Sequence, residues 1–212
     1  MSLRQLQLAT SWGGLRLVGG SRAGEGTLVQ LPQLHLGLDP GRDHRALPPM
    51  RTVVVSHGHL DHVGGLGYWA SQRYLNSMPP ATLLVPEPIV DDIRSLLAQF
   101  ARLEGGRPYE VTVVPIADGE SYPLRRDMEL SFFTTDHWVP TMGTRVIWHK
   151  KRLRSSLSQL PEAEIAHRRL AGEEVTRDVA INILSYCADS GPGLLATRPE
   201  VLEAEIVLVE CS

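Results

Sequence analysis

The stretch VVVSHGHLDHVGG, residues 53–65, places His57, His59, Asp61 and His62 within six positions, directly after three valines. The chain has eight histidines in 212 residues, so three of them together beside a carboxylate is a concentration of metal-binding chemistry. In an extended segment alternate side chains share a face, so His57 and His59 can present imidazoles to one point. Asp61 and His62 are adjacent and point differently, which suits a second point a few ångströms away. Imidazole and carboxylate donors without a cysteine favour zinc, with manganese or iron as other metals the set accepts. Glycines at 58, 64 and 65 let the backbone turn closely around whatever is bound. His35, His44, His149 and His167 stand apart and read as ordinary hydrogen-bonded histidines.

Positioning such a cluster requires a scaffold, and the bulk numbers bound it. The length suits one large domain with a real core. Hydrophobic content of 42% and charged content of 21% are ordinary for a globular protein. A net charge of −3 argues against a generally basic, nucleic-acid-coating surface while leaving room for a local basic patch. With only Cys187 and Cys211 there is no disulfide framework or cysteine zinc cage, and both read as small buried residues in strands. MSLRQLQLATSWGG has no apolar core of signal-peptide length and no later run approaches a membrane span, so a cytoplasmic protein is expected.

Short glycine-punctuated segments open the chain: LRLVGG, TLVQLP and LHLGLDPG read as strands joined by turns. RTVVVSH suits a strand buried on both faces. Residues 64–76 favour a helix packing Leu66, Trp69 and Tyr74, and ATLLVP a further strand. In PIVDDIRSLLAQFARLEGG, Pro88 suits a first helical turn. Ile89, Ile93, Leu96, Leu97, Phe100 and Leu103 then form a core stripe that ends before Gly105. Strands recur at YEVTVVPI, MELSFFTTDH, TRVIWH and VAINILSYCAD, and a short helix near RPEVLEAE leads into IVLVEC. The expected class is α/β, with two sheets covered by helices.

HGHLDH resembles the HxHxDH signature of the metallo-β-lactamase superfamily at every specified position. LHLGLDPG is similar to that family's early strand ending in Asp-x-Gly, which makes Asp39 a loop organiser near the metals. His137 stands where the family has its next isolated ligand histidine, and YCADSG resembles the strand ending in a bridging aspartate, here Asp189. His137, Pro140, Gly143 and Arg145 (HxxPxxGxR) resemble the ribonuclease Z branch, as do IVLVECS with its Glu-x-Ser ending and EEVTRD at 173–178.

The resemblance implies an αββα sandwich of two mixed sheets flanked by helices, a single domain over 1–212 with a shortened insert at 149–178. It implies two Zn2+ per chain: His57, His59 and His137 on one, Asp61 and His62 on the other, Asp189 bridging. Asp61 would also orient or deprotonate the attacking water. His59, where flavodiiron relatives carry a glutamate, points to hydrolysis. The implied activity is a zinc-dependent phosphodiesterase acting on transfer RNA 3′ ends through a dimetal-activated water. Its alternatives are hydrolysis of a small phosphodiester, sulfate ester, lactone or thioester, or a non-catalytic relative of the fold. RNA or a small phosphodiester is the expected partner, with no membrane, and homodimers occur in the branch. The branch's last zinc histidine lies beyond the Glu-x-Ser strand and no histidine follows His167, so the 212 residues are expected to be truncated at the C-terminus. The 149–178 interval lacks the branch's glycine- and proline-rich arm. It offers Lys150, Lys151 and Arg152 as phosphate contacts, against a plain solvated loop balanced by Glu162, Glu164, Glu173 and Glu174. Trp138, next to His137, is expected to line the substrate cleft.

Overall fold

The computed structural model describes residues 3–42 and 44–210. One sheet has seven strands in sequence order: β1 Arg4–Thr10, β2 Gly13–Arg22, β3 Gly26–Leu31, β4 Leu36–Leu38, β5 Thr52–Val54, β6 Ala81–Pro86 and β7 Val111–Ile116. Neighbours are antiparallel as far as β4 and parallel from β4 to β7. The second sheet runs β12-β11-β10-β9-β8, with β8 Ser121–Arg125, β9 Met128–Thr134, β10 Met142–Leu153, β11 Thr176–Asp189 and β12 Ile206–Glu210. There β11 and β12 are parallel and the other pairs antiparallel, so both sheets are mixed.

The valine triplet shows how the sandwich is built. Val54 faces inward with Leu38, Leu84, Leu130, Phe132 and Leu184, the core between the sheets. Val53 and Val55 face the opposite way, where Leu83, Val85, Leu66, Trp69 and Ile93 form a second core under helices α2 (Leu66–Leu75) and α3 (Val90–Leu103). A strand with apolar layers on both faces needs hydrophobic residues at every position, and the two-residue period sorts them between layers. The outer face of the second sheet is covered by α5 (Leu194–Thr197) and a 3-10 turn at Pro199–Glu203, where Phe133, Cys187, Leu194 and Val201 pack. Cys211 lies outside the described residues.

One reading needs correction, and two strands were missed. The buried row of α3 is Val90, Ile93, Leu97 and Ala101, whereas Leu103 is 83% exposed and Phe100 37%. The helix rests on the sheet along one row, and Phe100 instead leans over α2, where a Cβ on Gly67 would come within 2.8 Å of its ring. RPEVLEAE does form a short helix, of 3-10 type, at Pro199–Glu203 after the short α5. Strands β1 and β8 were not anticipated: β1 is an exposed edge, and β8 contains Pro123 at a register irregularity.

Between β10 and β11 the chain forms a long two-stranded ribbon that carries α4 (Glu162–Leu170), none of whose residues is buried. Arg168 pairs with Glu164 at 2.9 Å, and Arg154 with Glu174 at 2.7 Å. Among the described residues no helix is long and apolar enough to cross a membrane.

Trp69 is fully buried and donates its indole N–H to the Met50 carbonyl at 3.0 Å. Trp69→Ala removes the largest side chain of the helix-side core and leaves that carbonyl one donor short. It is expected to cost about 3–5 kcal/mol, read as a drop in urea midpoint at unchanged m.

Candidate metal centre

The chain leaves β5, runs extended through Ser56–His59 and enters helix α1 (Leu60–Val63). Asp39 follows directly on the preceding strand β4, adopts a left-handed φ of 49° and is fully buried. Here the backbones of the two loops touch: Gly65 N donates to Pro40 O at 2.7 Å, and a Cβ at Gly41 would sit 1.6 Å from the Asp61 carbonyl. Only glycine fits position 41, which explains the Asp-Pro-Gly ending of that strand.

Asp39 collects four donors. Ser56 N–H reaches Oδ1 at 2.6 Å, while Ser56 Oγ, His62 Nδ1 and Tyr186 Oη reach Oδ2 at 2.7, 2.9 and 2.6 Å. A buried carboxylate is stable only when its lone pairs are satisfied in this way. The consequence for the histidines is directional. His62 spends its Nδ1 proton on Asp39. Ser56, having given its proton to Asp39, can accept from His57 Nδ1 at 2.9 Å. Both rings therefore direct Nε2, with its lone pair, away from Asp39. Burial and the Asp39 carboxylate raise the Tyr186 phenol well above its ordinary value, which keeps it a donor.

His137 arrives from the second sheet, on the loop between β9 and β10. Asp136 ties that loop to the one after β11: its carbonyl accepts Gly191 N at 2.6 Å and its carboxylate accepts Gly193 N at 2.9 Å. Thr135 Oγ1 donates to the Asp189 carbonyl at 3.2 Å. Met142 N donates to Ser56 O at 2.9 Å, joining the two sheets beside the site. Gly143 accommodates the Phe133 ring, which lies 2.2 Å from where a Cβ would be.

The result is a convergence of side chains from four loops. Ligand atoms of His57, His59, His137 and Asp189 lie within 4.8 Å of one another, as do those of His62, Asp189 and Glu210. His57 Nε2 is 2.8 Å from His59 Nδ1. His59 Nε2, His62 Nε2, His137 Nε2 and Asp189 Oδ1 are buried without a hydrogen-bond partner. His62 Nε2 stands 3.4 Å from Asp189 Oδ1, close enough for an ion pair but without hydrogen-bond geometry. Four unsatisfied buried ligand atoms in one place are costly unless something occupies the space between them. Three imidazoles and a carboxylate are a donor set for a divalent transition metal, and the residues fit one.

Asp61 sits at the rim, its side chain 16% exposed, with Oδ2 held by Gly24 N at 2.8 Å and 3.8 Å from His62 Nε2. Trp138 is 80% exposed with its ring centroid 4.8 Å from that of His59. Lys150, Lys151 and Arg152 are not brought to the centre: they occupy the outer half of β10, paired with Val179, Asp178 and Arg177. Eight residues of strand separate Lys150 from Met142, roughly 26 Å. Ser56, Tyr186, Asp136 and Glu210 were not singled out as site residues from the sequence. Ser56 and Asp136 adjoin histidines of the cluster and were findable by position, whereas Tyr186 meets Asp39 across 147 residues with no local signal.

Burial, helped by the neighbouring His62, lowers His57 to about 4. Burial also works against a charged His62, but the facing Asp189 carboxylate and the hydrogen-bonded Asp39 outweigh it and push His62 up to about 10. Asp189 falls below its ordinary value because His62 pairs with it.

A family model described as a beta-lactamase superfamily domain matches residues 17–158. The chain is 32% identical to the nuclear ribonuclease Z of Triticum aestivum, over 78% of this chain and 94% of that protein. It is 28% identical to a chloroplastic tRNase Z of Arabidopsis thaliana over 92% of this chain, and spans only 55% of that relative's length. Human tRNase Z, short form, aligns in structure over 99% of this chain and 96% of that one, at 14% identity and a TM-score of 0.49.

A histidine free in an unfolded chain titrates near 6.5, so the two shifts act on opposite sides of that value. As pH falls from 6.5 toward 4, unfolded His57 gains a proton that folded His57 refuses, and stability drops. As pH rises from 6.5 toward 10, unfolded His62 loses a proton that folded His62 keeps, and stability again drops. Metal-free protein is therefore expected to melt highest near pH 6.5. Saturating Zn2+ should remove the alkaline decline, because a cation takes the place of the His62 proton. Melting temperatures from pH 4 to 10, with chelator and with Zn2+, check this; a chelated protein whose Tm climbs steadily to pH 9 would refute it.

Proposed function

Taking as premise that the chain belongs to the metallo-β-lactamase superfamily, in its ribonuclease Z-like branch, we propose that it is a dinuclear, zinc-dependent phosphodiesterase that cleaves transfer RNA precursors at their 3′ ends. One observation carries the reading: His57, His59, His62, His137 and Asp189 direct ligand atoms into one buried space where most of those atoms have no partner in the protein. His57, His59 and His137 would hold one cation, Asp61 and His62 a second, with Asp189 between them. When bound, the cations supply Lewis acidity to the phosphate and acidify a water.

The chain's own residues provide the rest. Asp39, through Ser56 and directly, holds His57 and His62 in the tautomer that offers Nε2 inward. Asp61, steadied by Gly24 N–H at the rim, takes the proton of the attacking water. Trp138 presents an exposed indole face beside His59 and His137, with centroids 4.8 and 5.9 Å away. An unpaired base stacked there would bring its phosphate to the histidines. Lys150, Lys151 and Arg152, at the far end of the ribbon, cannot reach that phosphate and suit a distant stretch of a long RNA backbone. Such reach favours a macromolecular substrate over a small diester. The unit doing this is proposed to be one domain over 1–212, with 149–178 as its shortened arm.

Asp61→Ala is expected to lower turnover of a precursor transfer RNA by about 10²–10⁴-fold, and His59→Ala to abolish it, both with an unchanged far-UV spectrum. Wild-type turnover in either variant refutes the assignment. Bis-nitrophenyl phosphate, assayed in parallel, separates the readings: a chain that hydrolyses it while leaving the RNA intact is a small-molecule hydrolase.

Trp138→Ala should raise KM for the RNA, by about 1–3 kcal/mol of lost stacking, and leave KM for bis-nitrophenyl phosphate nearly untouched. Equal effects on both substrates would mean that the indole shapes the centre and does not bind a base.

A further inference from the structure

Asp39 and His57 follow the C-terminal ends of β4 and β5, whereas His35 and Arg51 precede the N-terminal ends of the same strands. The backbones are joined there, Arg51 N and Thr52 N donating to His35 O at 2.9 and 3.1 Å. Beside this junction His35, Pro49, Arg51, Arg73, Met78 and Pro79 line a cavity of about 360 Å³. That volume is within the range of small-molecule sites. Pro49, Met78 and Pro79 give it apolar walls.

Its charge is one-sided. Arg73 enters from α2 and is 6% exposed. Its Nη1 donates to the carbonyls of Pro48 and Met50 at 2.5 and 3.2 Å, and Nη2 to that of Pro79 at 2.5 Å. Three of its five N–H groups are thus used, all on neutral acceptors. Among the described residues neither Arg73 nor the exposed Arg51 is ion-paired to a carboxylate. Burial and the nearby Arg51 charge hold the Arg73 guanidinium below its ordinary value. Glu110 lines the adjoining smaller cavity, of about 200 Å³, and not this one. A buried charge without a counter-charge is costly, and a like charge beside it adds to the cost. An anion lodged between the two guanidinium groups relieves both.

We propose that this cavity binds a small organic phosphate of mononucleotide size, its phosphate between Arg51 and Arg73 and its base against Pro49, Met78 and Pro79. Arginine suits the task because its planar fork offers paired donors to phosphate oxygens. Six residues of extended chain separate Arg51 from His57, roughly 20 Å. A phosphate held here is therefore not one undergoing cleavage, and the inference does not depend on the cation reading above.

The test uses the whole chain in chelator, so that no cation is present to hold a phosphate. It is titrated calorimetrically with adenosine 5′-monophosphate, inorganic phosphate and adenosine. The nucleotide should bind once per chain and more tightly than either fragment. Arg51→Ala should weaken it by about 10–100-fold, and Arg51→Glu should abolish binding, both with an unchanged far-UV spectrum. His59→Ala, at the other end of the strands, should bind the nucleotide as wild type does. A 5′-phosphorylated trinucleotide separates two sources of such a phosphate: weaker binding than the mononucleotide assigns the site to a free nucleotide, and tighter binding to an RNA end. Equal nucleotide affinity in wild type and Arg51→Ala overturns the proposal. So do a wild type that binds no nucleotide, and inorganic phosphate or adenosine bound as tightly as the nucleotide. Binding lost in His59→Ala but kept in Arg51→Ala puts the phosphate at the histidine cluster and overturns it as well.

Discussion

A buried carboxylate with four donors governs this molecule. Asp39 is removed from water, held in a left-handed backbone conformation, and bonded to Ser56, His62 and Tyr186. Burying a charge is costly unless it is fully hydrogen-bonded, and breaking such an arrangement leaves the whole desolvation penalty behind. The donors come from the loop after β5, from α1 and from β11, so satisfying one side chain fixes two loops and both sheets relative to one another. It also sets which nitrogen each of two histidines presents inward. Stability and chemistry are coupled here through a single residue that would touch no substrate.

The rest of the centre follows the same logic of polar groups satisfied on the outside and left open on the inside. Asp136 spends its carbonyl and its carboxylate on Gly191 and Gly193, bringing the His137 loop against the Asp189 loop. Ser21 and Thr27 steady Glu210, and Gly24 steadies Asp61. Around the cluster the supporting atoms are paired, whereas His59 Nε2, His62 Nε2, His137 Nε2 and Asp189 Oδ1 are not. The histidines outside this cluster show the opposite pattern. His35, His44 and His149 each have a partner at 3.1–3.3 Å.

Much of the fold was legible because its signals are local. A triplet of valines can only be a strand with apolar layers on both faces, and Val53, Val54 and Val55 divide between two cores as the two-residue period requires. Asp-Pro-Gly before the histidine cluster signalled a tight turn, and the close approach of Gly41 to Asp61 accounts for it. The amphipathic stripe of α3 was over-read: hydrophobic spacing shows which residues can face a core, while the neighbours present decide which do, and Leu103 has none to cover it. The edge strand β1 and the proline-bearing β8 were missed although Leu6 and Leu8, and Tyr122 and Leu124, alternate along them: both runs are short and no residue of either is fully buried.

What the chain order alone determined is the set of donors: His57, His59, Asp61 and His62 are together because they are five residues apart at most, and no folding event could separate them. Which distant groups join them was a tertiary decision. Tyr186 reaches Asp39, Glu210 faces Asp189 and His62, and the basic residues of the ribbon end up far from the centre, although Lys150 is only thirteen positions from His137. Separation along a strand grows by a fixed rise per residue, whereas contact between sheets depends on register and on which carboxylates must be satisfied. Neither is written in any short stretch of residues.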